Sequence, residues 1–581
     1  IFDAHRHAKF SLLGSVQDSL IWKAAFALCV GALLTYGGLR KRRPTLGHAL
    51  LFATAANGLA AGLAAAVAYP FINYMNVGTS LMWAMGVILM IPITLMTLAK
   101  VHEIGEVLLG RRPSRLIEPG KTRPLPTVPP KVSIHVPAYR EPAEMVLKTI
   151  DSLAALDYPN FEAIIIVNNT PEAEYSAPVA TRCAELGPRF KFLDIVCAGF
   201  KAGALNVALG HTAADAEIIA VIDADYVVEA NWLRDLVPCF ADPKVALVQA
   251  PQDHRDGGES VLKSLMNSEY AGFFDIGMIQ RNEDNAIIQH GTMCMVRRAA
   301  LEAVGRWGTD TIVEDTELGL RLYESGYEAL YTNRRYGRGL LPDTYKAFKT
   351  QRFRWAYGAV QIMRKHWRHV MPRSTTLSAA QKFHFATGWS FWLADALGVC
   401  AAVLNLLFMP AVLFIGVVIP PPAFTLTIMT AFLVSLLHCG LLYWKRVGVP
   451  LRQVPGAALA AMSLQYTVAQ AVLTGLIKDR LPFARTDKGG NAKRREAAEN
   501  PARWETILGV LLALSALVLV AVNKERVLEI NIFAATLAVQ SLPFLAASLM
   551  LMIERFETRR AVRRRMSAIP ALGVGIDAES R

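Results

Sequence analysis

The sequence predicts an α-helical transmembrane bundle with a cytoplasmic α/β domain, built on a mostly parallel sheet, inserted between its two helical ends. Three observations lead there. Windows of about 20 apolar residues, the length a helix needs to cross a bilayer, gather before residue 100 and after residue 385 of a 581-residue chain that is 53% hydrophobic. Between about 130 and 345, short apolar runs alternate with helix-length windows, as strands of a parallel sheet do with the helices that cover it. Lysines and arginines, which bring the formal net charge to +13, cluster at the edges of the apolar windows and set their orientation.

The membrane elements follow in order. Candidate spans are 20–39 (LIWKAAFALCVGALLTYGGL), 49–72, 81–99, a long run within 385–419, then 422–444, 504–522 and 531–554. "RKRR" after the first span, "RKHWRH" near 364, "WKRVGVPLRQ" near 444, "KDR" and "KRRE" across 478–496 and "RRAVRRR" near the end belong on the cytoplasmic side. That parity requires an extracytoplasmic N-terminus, three spans before residue 100 and four after 385. The more polar window 456–477 is bracketed by cytoplasmic basic segments, so it is expected as an interfacial or re-entrant helix. The expected organisation is 1–100 membrane region, 101–129 linker, 130–345 α/β domain, 346–384 interfacial helices, and 385–581 a second membrane region with an interfacial helix and loop at 456–503. The first apolar run is too long for a signal peptide, and "RKRR" follows it with no small-residue cleavage site. The chain starts at Ile1 rather than Met, and with that end outside the membrane, any preceding segment is expected to be an extracytoplasmic domain or partner-like region.

The basic excess is assigned to orientation and contact with the lipid bilayer. No nucleic-acid-binding signature accompanies it, so nucleic acid is not an expected partner. Seven cysteines, at 29, 183, 197, 239, 294, 400 and 439, have neither C-x-x-C nor metal-finger spacing and are read as structural thiols.

Within the α/β segment the expected strands are 131–139, 161–169, 191–196, 217–225 and 245–251. In such sheets ligands sit beyond the carboxyl ends of the strands. "VIDADYVVE" ends a buried strand in Asp223 and Asp225, one residue apart and so on one side of extended chain. The pair reads either as a polar turn or as oxygen ligands for a hard divalent cation, Mg²⁺ or Mn²⁺, and its place at a strand end favours the cation. "TIVEDTELGLRL" (311–322) places Glu314 and Asp315 before a helical pattern. That is an ordinary position for a cap or dipole partner, and also for a general base if the fold brings Asp315 near Asp225. "AGFKAGALNVAL" (198–209) puts glycines around Lys201 at a loop-to-helix junction, which suits a diphosphate but is equally a common helix start. In "QRFRWAYGAVQIM" (351–363), Gln351, Arg354 and Trp355 lie on one side of a helix.

Taken in order, "HVPAYREP", "KAGALN", "DAD", "VEDTELGLRL" and "QRFRW" resemble the motif series of family 2 glycosyltransferases, in the processive membrane branch of cellulose, chitin, hyaluronan and β-glucan synthases. The resemblance covers about 130 to 365 by motif and the flanking spans by architecture. It implies a GT-A-like domain acting on a UDP-sugar donor and a growing polysaccharide acceptor. Tyr139 and Glu141 would hold the uracil, with Asn169 nearby, Lys201 would lie beside the nucleotide, Asp223 would contact nucleotide and metal, and Asp225 would bind the metal. Asp315, with Glu314, would supply the base. Gln351 and Arg354 would meet the diphosphate, and Trp355, with Gly291 and Thr292, would face the acceptor at the mouth of a membrane channel.

"LPFARTDKGG" (481–490) resembles the gating loop of these synthases through Phe483, Thr486 and Lys488, with Arg485 in place of the usual valine; its other reading is a polar linker. Two features depart from the family. Asn168 and Asn169 stand where many relatives carry an aspartate that reads uracil, and only about 25 residues follow the last expected span, too few for the cyclic-di-GMP-binding barrel that ends many cellulose synthases. Within the branch, "HVPAYREP", "VNNT" and "QRFRWAYGAVQI" look most like bacterial β-(1,3)-glucan synthases of the periplasmic, cyclic-glucan type, which implies UDP-glucose and an inner-membrane location. The alternatives are a cellulose, hyaluronan or chitin synthase, a non-processive polyprenyl-phosphate glycosyltransferase, and a transporter or scaffold with an inactive domain, against which the intact acidic pairs argue.

Overall fold

The computed structural model describes residues 27–31, 33, 34, 37, 44–118, 124–420, 425–481, 486–489 and 500–567. Most of the expected span 20–39, and Phe483, lie outside the described residues. Two long apolar helices come first, α1 (Leu46–Ile72) and α2 (Val77–Leu109). Each starts on a side-chain cap: Thr45 accepts from the His48 amide and Asn76 from the Thr79 amide, satisfying amides that have no partner inside the helix.

The chain then builds a seven-stranded sheet from β1 (Lys131–Ala138), β2 (Phe161–Asn168), β3 (Phe190–Ile195), β4 (Ala216–Val221), β5 (Val245–Gln249), β6 (Cys294–Arg297) and β7 (Glu328–Tyr331). Helices α3 (Ala143–Ala154), α4 (Ala173–Leu186), α5 (Phe200–His211), α6 (Val261–Gly272) and α7 (Glu314–Glu324) connect or cover it. The strand order is β3-β2-β1-β4-β6-β5-β7. All five expected strands are present, and β1 to β4 pair in parallel. The sheet is mostly parallel, as expected, and β6 runs antiparallel to both β4 and β5. The reversal has a functional consequence: a reversed strand begins where its parallel neighbours end, so Gly291 and Thr292, just before β6, join the edge that carries Asp223. Val132, Ile134 and Val136 of β1 are fully buried with Ile165, Ile218 and Trp232 in one apolar core, while Val221, Leu247, Val296 and Leu318 belong to a second. Such double burial is why these strands read as unbroken apolar runs.

After the sheet, α8 (Tyr345–Val370) carries the Q-x-x-R-W residues, and α9 (Ala379–Phe414), α10 (Thr430–Leu442), α11 (Val454–Met462), α12 (Gln465–Ile477), α13 (Arg503–Val522) and α14 (Leu528–Ser567) complete the chain. Seven helical segments among the described residues are long and apolar enough to cross a membrane, which makes this a multi-pass membrane protein. The 456–477 window, expected as an interfacial or re-entrant helix, is not one continuous helix. It is two helices, α11 and α12, meeting at Ser463 and Leu464, and 454–477 together is one of the seven. Its polar residues Ser463 and Thr467 are buried; the Ser463 hydroxyl donates to the Ala460 carbonyl at 2.7 Å, and the Ser463 carbonyl accepts from the Tyr345 hydroxyl at 2.8 Å.

The C-terminal part of α14 ties the two parts together. Glu557 accepts from the amides of Val261 and Leu262 at 2.6 and 3.2 Å, and Glu554 from that of Tyr345 at 3.0 Å. Two carboxylates from one helix thus cap the positive ends of α6 and α8. Further along, α8 lies against the loop before α7 so closely that a Cβ on Gly358 would sit 2.4 Å from Val313 Cγ2. Gly358→Ala should therefore cost about 1–3 kcal/mol through overpacking and lower activity by displacing Glu314 and Asp315; thermal unfolding in detergent and the initial rate would measure the two effects.

Candidate active site

The carboxyl edge of the sheet gathers the acidic residues. Asp223 follows β4 and is held from two sides, its amide donating to Thr292 Oγ1 at 3.0 Å and its carboxylate accepting from Lys201 Nζ at 2.5 Å. Lys201, in the first turn of α5, also donates to the Gly291 carbonyl at 2.7 Å. Asp315 enters the same space: a Cβ on Gly291 would lie 3.0 Å from its Oδ2 and 2.7 Å from Lys201 Nζ. Only glycine leaves that gap open. The loops carrying Lys201, Asp223, Gly291–Thr292 and Asp315 thus converge on one spot, although they are spread over more than a hundred residues of chain.

Asp225 is buried at 4% exposure. It accepts from the Leu340 amide at 3.1 Å and from Lys488 Nζ at 2.8 Å. Lys488 is fixed in turn by a bridge to Pro342, beside the hydrogen bond from the Asp343 amide to the Asp487 carbonyl. Thr486 of the same segment accepts from Arg354 Nη2 at 2.8 Å. The loop after α12 is therefore anchored both to the D-x-D pair and to the Q-x-x-R-W helix.

Gln351, Arg354 and Trp355 line the same space. Gln351 Oε1 accepts from the Tyr270 hydroxyl. Trp355 meets the Tyr270 ring edge-on at 5.8 Å between centroids, and the Arg352 guanidinium lies 4.4 Å from the Trp355 centroid. Sequence reasoning missed this supporting layer of Glu269, Tyr270 and Arg352, in which Arg352 also pairs with Glu269. No sequence signal singles them out, since the helix windows around Tyr270 and Arg352 hold other polar side chains, among them Lys263, Asn267, Lys349 and Arg354. Tyr139 and Glu141 also line the cavity. Asn169 reaches its wall, and both ends of its amide bond Cys197, accepting from the amide at 3.0 Å and donating to the carbonyl at 2.8 Å. In this arrangement Asn169 ties the end of β2 to the end of β3 at the wall of the cavity.

Electrostatics separates the carboxylates. Burial, with the neighbouring Asp315 carboxylate, pushes Glu314 up to about 7. Burial also raises Asp315, although Lys201 draws it the other way. Asp225 moves in the opposite direction: against the desolvation of burial, the Lys488 ammonium holds it below the usual carboxylate range. One carboxylate is thus kept anionic, while a nearby pair retains affinity for a proton.

The space these groups surround is one cavity of about 1110 Å³, whose lining continues past Trp355 to Trp392, Phe432 and Pro543 of the membrane helices.

Residues 129–358 match the family described as "Glycosyltransferase like family 2". This segment is a family 2 glycosyltransferase domain. Around it, 241 residues are 30% identical to a protein named cellulose synthase catalytic subunit [UDP-forming] from Xanthomonas axonopodis pv. citri, covering 40% of this chain and 32% of that one. Another 26% identity over 282 residues relates it to a probable glucomannan 4-beta-mannosyltransferase 9 of Oryza sativa subsp. japonica, over 45% of this chain and 53% of that one. The chain thus spans a third to a half of the length of these relatives. Among solved structures, the mannosyltransferase PcManGT from Pyrobaculum calidifontis in complex with GDP-Man and Mn²⁺ is similar with a TM-score of 0.44 and 19% identity, covering 69% of this chain and 99% of that one.

A pH prediction follows for the glycosyltransferase domain. With the Glu314–Asp315 pair as the proposed base, which must be ionised to accept a proton, kcat/KM should fall as pH drops below about 7, the value to which Glu314 is pushed. Stability moves the other way. Groups whose folded pKa is raised contribute stability that is full below the ordinary carboxylate range and lost as pH rises through the raised value. Activity lost between pH 7 and 5 without any fall in melting temperature is the expected signature.

Proposed function

We propose that this chain is a processive, inverting glycosyltransferase that polymerises glucose from UDP-glucose into a β-glucan, with β-(1,3) linkage favoured, and passes it across the inner membrane. The observation that carries the reading is the single cavity running from the acidic residues, past Trp355, into the membrane helices. In this reading the glycosyltransferase domain is cytoplasmic and the chain's N-terminal side extracytoplasmic.

The chemistry needs a base, charge neutralisation at the leaving diphosphate and exclusion of water. Asp315 takes the proton from the acceptor hydroxyl as that oxygen attacks the anomeric carbon from the face opposite the UDP. Lys201 and Arg354 meet the diphosphate. Asp223 and Asp225 offer the oxygen donors that Mg²⁺ or Mn²⁺ prefers, and the fit is supported by the ammonium groups of Lys201 and Lys488, which already stand as cations against the two carboxylates. Such an ion, when bound, neutralises the departing phosphates. Tyr139 and Glu141 hold the base, and the loop carrying Thr486 and Lys488 lies beside the nucleotide.

The test is incubation of purified, reconstituted protein with radiolabelled UDP-glucose and digestion of the product with linkage-specific glucanases. A polymer cut by β-(1,3)-glucanase supports the reading. One cut only by cellulase replaces it with the β-(1,4) alternative, which the relative named cellulose synthase favours, and a monoglycosylated lipid alone overturns processivity. Trp355→Ala separates the steps further. It should shorten the product several-fold while changing UDP release from the first transfer less, as size-exclusion of the labelled chains and a coupled UDP assay would measure.

A further inference from the structure

A second cluster of ligating side chains lies outside the cavity, where the far ends of α7 and α8 meet. His366 and His369 stand one turn apart on α8, and Glu324 is the last residue of α7. One carboxylate oxygen, Glu324 Oε1, lies 2.8 Å from His366 Nδ1 and 2.5 Å from His369 Nδ1, and the three ligating atoms fall within 4.8 Å of one another. His366 is buried, whereas His369 keeps its side chain 43% exposed, so the cluster has a solid wall and an open side. We propose that Glu324, His366 and His369 form a site for a borderline transition-metal ion of the zinc class, stapling α7 to α8.

Two imidazoles and one carboxylate form a donor set that such ions take with the fourth position left to water. The outer partner is also in place. His366 Nε2 lies 3.4 Å from Glu317 Oε1, the carboxylate contact that fixes the ring of a metal-bound histidine, and Glu317 is itself held by Arg321 and Lys365 at 2.8 and 2.9 Å. Ligands about 2.0–2.1 Å from a tetrahedral ion stand farther apart than the present oxygen–nitrogen contacts, so the Glu324 side chain rotates back as the ion enters. Any proton shared among the three groups leaves at the same time. The staple has a mechanical meaning. Asp315 sits at the opposite end of α7, about 14 Å away at the α-helical rise, and α8 carries Trp355, so an ion here fixes the angle between the helices bearing the base and the platform.

The test uses the full chain in detergent, stripped with chelator and then held in excess Mg²⁺, which saturates oxygen sites and competes poorly for imidazole. Zn²⁺ is titrated against a chromophoric chelator, and Co²⁺ is followed by its visible d–d absorption. The expected result is one tight equivalent with a tetrahedral cobalt spectrum, weakened at least 10-fold in His369→Gln and in Glu324→Gln and unchanged in Asp225→Asn, which leaves this cluster intact. Zn²⁺ should raise the melting temperature of the unmodified chain but not of His369→Gln, whose half-exposed position makes misfolding a poor explanation for lost binding. Absence of a saturable equivalent, or equal affinity in all variants, would make the three side chains an ion-pair cluster only and overturn the site.

Discussion

Asp315→Asn should lower the rate of polymer formation by a factor of about 10²–10⁴, the range a positioned general base supplies, with little change in donor affinity. The substitution keeps the shape and size of the side chain and removes only its capacity to hold a proton as a carboxylate. Its neighbours make the result readable. Lys201 bonds Asp223 and the Gly291 carbonyl, so the loop keeps its anchors when Asp315 becomes neutral, and the Thr316 amide, which now bonds Asp315 Oδ1 at 2.7 Å, finds an amide oxygen in the same place. Stability should hold or rise, because burial already disfavours the charged form here. A variant that binds UDP normally, melts no earlier and makes no polymer would assign the proton transfer to Asp315. Activity within a factor of three of the unmodified chain would move the base elsewhere, Glu314 first.

How much of this was legible in the sequence depends on the range of the interaction. The five parallel strands were readable because burial on both faces writes an unbroken apolar run, and the acidic residues because they stand where ligands of such sheets sit, although a turn or a helix cap also places carboxylates there. Convergence was a different matter. Asp223, Gly291 and Asp315 meet because β6 runs backwards between β4 and β5, and its four residues, Cys294–Arg297, carry no periodicity that would reveal direction. Asn169 poses a related difficulty: it lines the cavity, yet the sequence does not show that its amide also bonds the backbone of Cys197. The 454–477 segment was obscured because hydropathy assigns each polar residue to water, whereas Ser463 and Thr467 are buried against protein. Arg352 was invisible beside Arg354, since sequence spacing does not tell which arginine points into the cavity and which lies between Tyr270 and Trp355.

Asp225→Asn should abolish measurable synthesis, a loss of at least 10²-fold, and chelation of divalent cations from the unmodified chain should match it until Mg²⁺ or Mn²⁺ is restored. Asp225 differs from Asp223 in being nearly sealed from solvent while bound to a lysine from a distant loop. The variant therefore removes the proposed ligand for the cation and also leaves the Lys488 ammonium without its carboxylate. Breaking one partner of a buried pair costs roughly 3–5 kcal/mol, so a lower melting temperature is expected along with the lost activity, and activity alone would not separate the two causes. Adding Lys488→Gln to Asp225→Asn does: the stranded charge disappears and the two amides can bond each other, so most of the lost melting temperature should return. Synthesis should not, because the oxygen donor needed at the diphosphate is still missing. Recovery of both together would show that Asp225 serves only to hold the loop, and the cation would have to be bound elsewhere.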